Sequence, residues 1–153
     1  MARPSPRIGI VVSRFNEEVT SRLLKSCLAT LRTRAVASSR IRVVWVPGGY
    51  EIPWAVHELA LSRKYGVLIA LGAVLKGRTA QNEHIARSTI QHLHDISLAT
   101  RVPCILGVIT PDTYAQAIAR TRAALDRGRE SALAALEMLE LRNHLGAKGR
   151  GAR

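Results

Sequence analysis

Four short segments of the chain combine residue types suited to holding an anion, a flat ring or a polyol. Lys76-Gly77-Arg78-Thr79 joins two cations, a glycine and a hydroxyl just ahead of a helical stretch. Unpaired backbone N–H groups at a helix start add to the attraction for a phosphate. Neither the GxxxxGK[ST] loop of nucleotide hydrolases nor the GxGxxG of dinucleotide folds is present there, which favours a small phosphate ester over ATP or NAD. A capped helix with solvated charges is the competing reading. In Pro47-Gly48-Gly49-Tyr50-Glu51 the two glycines allow a ligand close to the backbone, and Glu51 can accept hydrogen bonds from hydroxyls. A turn followed by an acidic helix start explains the same residues about as well. Phe15, the one phenylalanine, follows an apolar run in Arg14-Phe15-Asn16 and can stack on a heterocycle or pack as a helix staple. Arg120, within Gln116-Ala117-Ile118-Ala119-Arg120, can grip a phosphate with two parallel N–H bonds, although a lone helical Arg is more often simply solvated.

The elements that must position these groups follow from periodicity. Ile8 to Val12 is a short, uninterrupted, β-branched run, as a parallel strand covered on both faces requires. After Ser13 the spacing becomes helical, with Val19, Leu23, Cys27 and Leu31 on one stripe. A second strand spans Ile41 to Val46, stops at Pro47-Gly48-Gly49, and gives way to a helix from about Ile52 carrying Val56, Leu59 and Ala60 inward. A third strand is predicted over Gly66 to Val74, followed by a long helix N-capped by Thr79 and reaching about Leu98. The fourth strand runs Cys104 to Ile109, and Thr110-Pro111-Asp112-Thr113 opens another helix. Asp126-Arg127-Gly128 divides the C-terminal helical region. Four βα alternations with short connections predict a parallel sheet with helices on both faces, and ligands of such sheets bind beyond the carboxyl ends of the strands. All four chemical segments fall at or just after such ends.

Composition sets the remaining bounds. The 153 residues suit one domain, 1–153, able to bury a core without disulfides. Cys27 and Cys104 lie in apolar stretches with no CxxC and no ligand spacing, and read as buried thiols. No apolar run is long enough for a membrane span or a signal peptide, so a soluble, cytoplasmic protein with no membrane partner is expected. The net charge of +12 would draw phosphorylated metabolites or nucleic acid. Residues 142–153, rich in Gly, Lys and Arg, are predicted as a disordered basic tail.

From Ile8 to about Leu141 the chain resembles the lumazine synthases, the 6,7-dimethyl-8-ribityllumazine synthase family. The segments that carry this are GIVVSRFN, VPGGYEIP, GAVLKGRT, GVITPDTYAQAIAR and the DRG before an Ala/Leu/Glu-rich helix. Each is short, but their joint order and spacing are highly specific. The resemblance implies a flavodoxin-like three-layer α/β/α sandwich with a four-stranded parallel sheet, assembled as a homo-oligomer. That assembly would be a pentamer with active sites shared between neighbouring subunits, or a 60-subunit icosahedral shell. It implies condensation of 5-amino-6-(D-ribitylamino)uracil with L-3,4-dihydroxy-2-butanone 4-phosphate in riboflavin biosynthesis, without a cofactor or metal. By position, Phe15 would stack on the pyrimidine, Gly49, Tyr50 and Glu51 would hold the ring and ribityl chain, and Val74 and Leu75 would line the pocket. Gly77, Arg78 and Thr79 would surround the phosphate, with Arg120 closing on it.

The chain departs from the family pattern in three side chains. Where GxxxRGxTxH places a proton-transferring histidine, the chain has Gln81, which does not titrate; His84, one helical turn on, is a candidate to take over the proton transfer, with a capping or solvated histidine as the competing reading. Leu106 replaces a frequent aromatic of the fourth strand, and Arg127 replaces a lysine before Gly128. Gln81 leaves open a paralogue that binds a ribityl-pyrimidine or flavin with little catalysis. The charge leaves open a scaffold of another class, a basic shell that binds nucleic acid through its tail.

Overall fold

The computed structural model describes residues 6–148. Four strands, β1 (Arg7–Ser13), β2 (Ile41–Val46), β3 (Tyr65–Ala73) and β4 (Cys104–Ile109), form one parallel sheet in the order β2-β1-β3-β4. All nine residues of β3 and six of seven in β1 are buried, as their unbroken apolar runs require of central strands. Edge strand β2 is mostly half-buried, and β4 is buried only in its second half, Gly107 to Ile109.

Side chains alternate across the sheet and divide the core in two. Ile8, Ile10 and Val12 of β1, with Val67, Ile69 and Leu71 of β3, meet helices α1 (Glu17–Thr33), α4 (Tyr114–Ala119) and α5 (Arg127–Lys148). Val11, Leu68 and Ala70 point the other way, against α2 (Ile52–Leu61) and α3 (Gln81–Thr100). The result is the flavodoxin-like α/β/α sandwich. The stripe Val19, Leu23, Cys27 and Leu31 is fully buried, so truncating Leu23 to Ala would cost roughly 2–5 kcal/mol. Burial pushes the Cys27 thiol up to about 12, and Asp126 adds to the shift.

Two contacts tie α1 to α5. Gly128 brings the helix backbones together: a Cβ there would stand 2.2 Å from the Leu23 carbonyl oxygen, so no other residue fits without displacing α5. Ser26 also donates a hydrogen bond to the Asp126 carboxylate, just before α5 begins.

Several local expectations are corrected. β3 begins and ends one residue earlier than the apolar run suggested, because Val74 already sits in the following loop with its N–H on Ile109 O at 2.9 Å. Thr79 does not cap α3; Ala80 holds the cap position without a side-chain bond, and Thr79 Oγ1 only accepts the Gln81 N–H at 3.4 Å. The helix continues to Thr100, past Leu98. Cys104 is half-buried because β4 is an edge, although desolvation still pushes its thiol up to about 11. The basic stretch from residue 142 is not a tail over its whole length, since α5 continues in register through Lys148; residues 149–153 lie outside the described residues.

Candidate active site

The loops leaving β1, β2 and β3 converge at the carboxyl end of the sheet. Arg14 and Phe15 donate their backbone N–H groups to Val46 O at 2.8 Å and Pro47 O at 2.9 Å, which zips the first loop to the second. Asn16 then turns the chain in the left-handed region (φ 60°), a conformation Asn tolerates, and its Nδ2 donates to Ala73 O at 2.8 Å, joining the first loop to the end of β3. With its backbone so fixed, Phe15 leaves its ring 68% exposed. A large apolar ring held outward on a bonded loop is available for stacking.

In the second loop, Glu51 Oε2 accepts the Gly48 N–H at 2.9 Å and so folds the turn back on itself. The buried Thr89 of α3 donates to Gly49 O at 3.0 Å and anchors the turn from below. Tyr50, 69% exposed, stands at its tip.

The third loop, residues 74–80, runs beside the end of β4, with the Lys76 N–H on Pro111 O at 3.1 Å. Asn82 Nδ2 donates to Leu75 O at 2.8 Å and draws the loop against the start of α3. Gly77 passes so close that a Cβ would lie 2.9 Å from that amide nitrogen. Ala80 gives α3 no side-chain cap, and the loop leading into its start carries Lys76, Arg78 and Thr79. Oriented donors and fixed cations at one place favour an anion.

Two cavities share the wall made by Val74, Leu75, Lys76 and Asn82. The first, about 580 Å³, is bordered by Phe15, Gly49, Tyr50, Glu51, Ile85 and Gln81. The second, about 820 Å³, reaches over Gly77, Thr79 and the first turns of α3 toward Thr110 and Asp112. Side by side they make up the cleft, one cavity with an aromatic and carboxylate lining and the other with an amide, hydroxyl and cation lining. Its chemistry is that of positioning: an exposed aromatic ring, a carboxylate able to accept hydrogen bonds, and cations and amides beside the start of α3.

Of the residues singled out in the sequence, Phe15, Gly49, Tyr50, Glu51, Val74, Leu75, Gly77, Thr79 and Gln81 border this cleft. Arg78 is exposed on the same loop but borders neither cavity, and His84 is exposed one turn along α3, also outside both. Gln81, not His84, therefore faces the space a substrate would fill. Leu106, Arg120 and Arg127 are not brought to the cleft of their own chain. Leu106 lies 45% exposed on edge strand β4. Arg120 ends α4, its carbonyl accepting the Arg127 N–H at 2.8 Å, while Arg127 Nη1 pairs with Glu130 at 2.7 Å. Asn16, Thr89 and Asn82, which hold the loops in place, were not legible as site residues, because an Asn or Thr near a helix start reads equally well as a solvated cap. Lys76, which lines both cavities, was visible only as part of the cationic segment.

The order of these loops along the chain, and the residues they carry, match a known family. The model of the 6,7-dimethyl-8-ribityllumazine synthase family covers residues 5–143, all four strands and α5 as far as Asn143. The chain belongs to that family. One curated member, a 6,7-dimethyl-8-ribityllumazine synthase from Thermosynechococcus vestitus, is 40% identical over 141 residues, covering 90% of this chain and 79% of the relative. The resemblance drawn from five short segments is thus a property of the whole domain, and the lumazine synthase fold accounts for each strand end at which the cleft is built.

Proposed function

We infer that the chain catalyses the reaction for which the lumazine synthases are named. 5-Amino-6-(D-ribitylamino)uracil condenses with L-3,4-dihydroxy-2-butanone 4-phosphate to give 6,7-dimethyl-8-ribityllumazine, orthophosphate and water. The single observation that carries this reading is the pair of adjoining cavities, whose linings suit the two substrates and whose shared wall would set them side by side. Phe15 stacks the pyrimidine, and Glu51 with the Gly49-Tyr50 turn holds the ring and ribityl hydroxyls. Gly77, Arg78, Thr79 and Lys76 hold the phosphate beside the start of α3. The substrate amine then attacks the ketone to form an imine with loss of water. Phosphate leaves by elimination, drawn off by the cations, and closure of the second ring loses the remaining water.

Gln81 donates and accepts hydrogen bonds but carries no titrating proton. In this reading it orients the reacting groups, and proton transfer falls to substrate groups and water. Holding two reactants in place supplies up to about 7–11 kcal/mol of the barrier, so the loss of one general acid or base, commonly about 10²–10⁴-fold, leaves turnover above the spontaneous rate.

Leu106, Arg120 and Arg127, absent from the cleft of their own chain, complete the cleft of an adjoining subunit. A homo-oligomer follows, a pentamer or a shell of 60 chains, in the cytoplasm. The deciding experiment is turnover of both substrates by the purified chain beside the uncatalysed reaction. A rate above the spontaneous one supports the assignment. A rate equal to it, with tight binding of the pyrimidine, leaves a binding protein in its place.

A further inference from the structure

We infer that the face made by the amino-terminal ends of the strands, opposite the cleft, binds the phosphodiester backbone of a nucleic acid duplex. Every turn that enters this face carries arginine or lysine. Arg32 and Arg34 end α1 and Arg40 precedes β2; Arg63 and Lys64 join α2 to β3; Arg101 joins α3 to β4; Arg7 opens β1 and Arg142 comes late in α5.

Backbone and side-chain bonds draw four of these, Arg7, Arg40, Lys64 and Arg142, to the entries of β1 and β3. The Arg7 N–H meets Lys64 O at 3.4 Å, Arg40 Nη2 meets Pro6 O at 2.9 Å, and Arg142 Nη1 meets Gly66 O at 3.4 Å. Arg7 lies 6.0 Å from the centre of the Tyr65 ring at the start of β3. All eight cations are exposed except Arg40, which is half-buried.

Their charge is not spent on carboxylates. Among the described residues the ion pairs are Arg22–Glu18, Arg87–Glu83 and Arg127–Glu130, all in the first turns of helices at the cleft end. Acidic side chains gather at that end, with Glu17 and Glu18, Glu83 and Glu130 in the first turns of α1, α3 and α5. Glu58, Asp95, Glu137 and Glu140 lie farther along α2, α3 and α5, and Lys76 and Arg78 are without an ion pair at the cleft end too, but among the described residues no ion pair joins a carboxylate to the eight cations of the far face.

Helix dipoles favour cations near these ends, but they act on the last turn and do not call for arginine at the terminating left-handed residue. That residue is Arg63 (φ 58°) after α2 and Arg101 (φ 61°) after α3, where glycine or asparagine fits with less strain. Cations have been placed where the backbone does not ask for them.

The type of partner follows from what the patch lacks. The strongly exposed aromatics Phe15, Tyr50, Trp54 and Tyr114 sit in loops or helix starts at the cleft end. The cationic face has neither the stacking platform that single strands use nor the aromatic belt of a membrane-interface protein. What remains is sequence-independent contact with regularly spaced phosphates, in which each neutralised phosphate lowers the log–log salt slope by about 0.9.

The test uses the full chain, a short fluorescein-labelled DNA duplex and a salt titration read by anisotropy. The variant R63G/K64A/R101G places glycine at both left-handed sites, which the backbone accepts. It should weaken binding about tenfold or more and reduce the salt slope by about 2 to 3, with turnover unchanged. The charge-matched variant K25A/R122A/R129A, whose cations lie elsewhere, should bind nearly as well as the parent. Equal loss in the two variants would reduce the effect to net charge and overturn the proposal. So would tighter binding to phosphatidylserine vesicles than to the duplex, or loss of binding on deleting residues 149–153 with the first variant unaffected.

Discussion

The side-chain amide of Asn82 donates to the carbonyl of Leu75 at 2.8 Å, seven residues back, and this bond holds the 74–80 loop against the first turn of α3. Both residues border both cavities. Asn82→Ala removes the bond without touching a charge, so the loop loses its hold while the cations remain. A single such bond is worth about 1 kcal/mol. The expected result is a rise of about fivefold in the KM for the phosphorylated butanone, with a smaller change for the pyrimidine. Steady-state kinetics with each substrate varied in turn would show it; equal changes in both would mean that the loop does not act as an anion cradle.

Gln81 faces the smaller cavity at the start of α3. Replacing it with histidine restores a group that can take up and release a proton near neutral pH. Gln81→His should raise kcat by about tenfold or more while KM changes little, and should add a pH dependence near the imidazole range. A pH–rate profile identical to that of the parent would place the proton path elsewhere.

Arg120 and Glu51 are proposed to serve the same reaction from different subunits. Arg120→Ala should raise the KM for the phosphorylated substrate far more than for the pyrimidine, and Glu51→Ala should do the reverse. Where sites are shared, co-refolding the two variants in equal amounts pairs two intact half-sites in about a quarter of clefts, and activity returns to that extent. If the mixture is no better than the average of its parts, each cleft is made by one chain.

Cys27 gives an alkaline signature. Its folded-state value of about 12 lies above the ordinary 9.0, so the folded state keeps the thiol proton more tightly than the unfolded chain does. The corresponding stability is fully present below pH 9 and is lost as pH rises from 9 to about 12, at up to about 1.4 kcal/mol per pH unit. Cys27→Ala lowers the stability at neutral pH by emptying a buried site, yet should flatten the fall in Tm above pH 9. Parallel Tm curves for parent and variant would exclude this origin.

The closeness of α5 to α1 at Gly128 sets a steric limit. Gly128→Ala puts a methyl group 2.2 Å from a backbone oxygen that cannot swing aside. Despite alanine's better helix propensity, the substitution should destabilise by about 1–3 kcal/mol, read as a lower denaturant midpoint at unchanged m-value.

How much of this was visible in the residues depends on the range of the interaction concerned. β1, β2 and β4 were readable within a residue because β-branched runs bounded by Ser, Pro-Gly or Thr-Pro leave little choice of conformation. The α1 stripe was equally plain. The start of α3 was misread because Thr79 has the right chemistry for a cap but is held in the loop by Gly77 and Asn82, a tertiary constraint with no local trace. Beyond residue 142 composition pointed to disorder, while packing of the preceding α5 turns, through Ala132, Ala135 and Leu139, carries helix onward. Phe15, Glu51, Gly77 and Thr79 were found because each follows a strand, and strand ends converge by topology, whereas Gln81 was noticed only as a departure from the family's pattern. Arg120 was noticed only as a helical cation after the fourth strand, and Leu106 and Arg127 only through the family's pattern, since nothing within one chain brings the three to the cleft.

A wall common to both cavities has a consequence for evolution. Val74, Leu75, Lys76 and Asn82 cannot be reshaped on one side without also moving the boundary of the other cavity. On the proposed assignment, selectivity for the two reactants is therefore inherited jointly. Lineages that exchange one building block must compensate on the opposite side, along the turn after β2, before activity recovers.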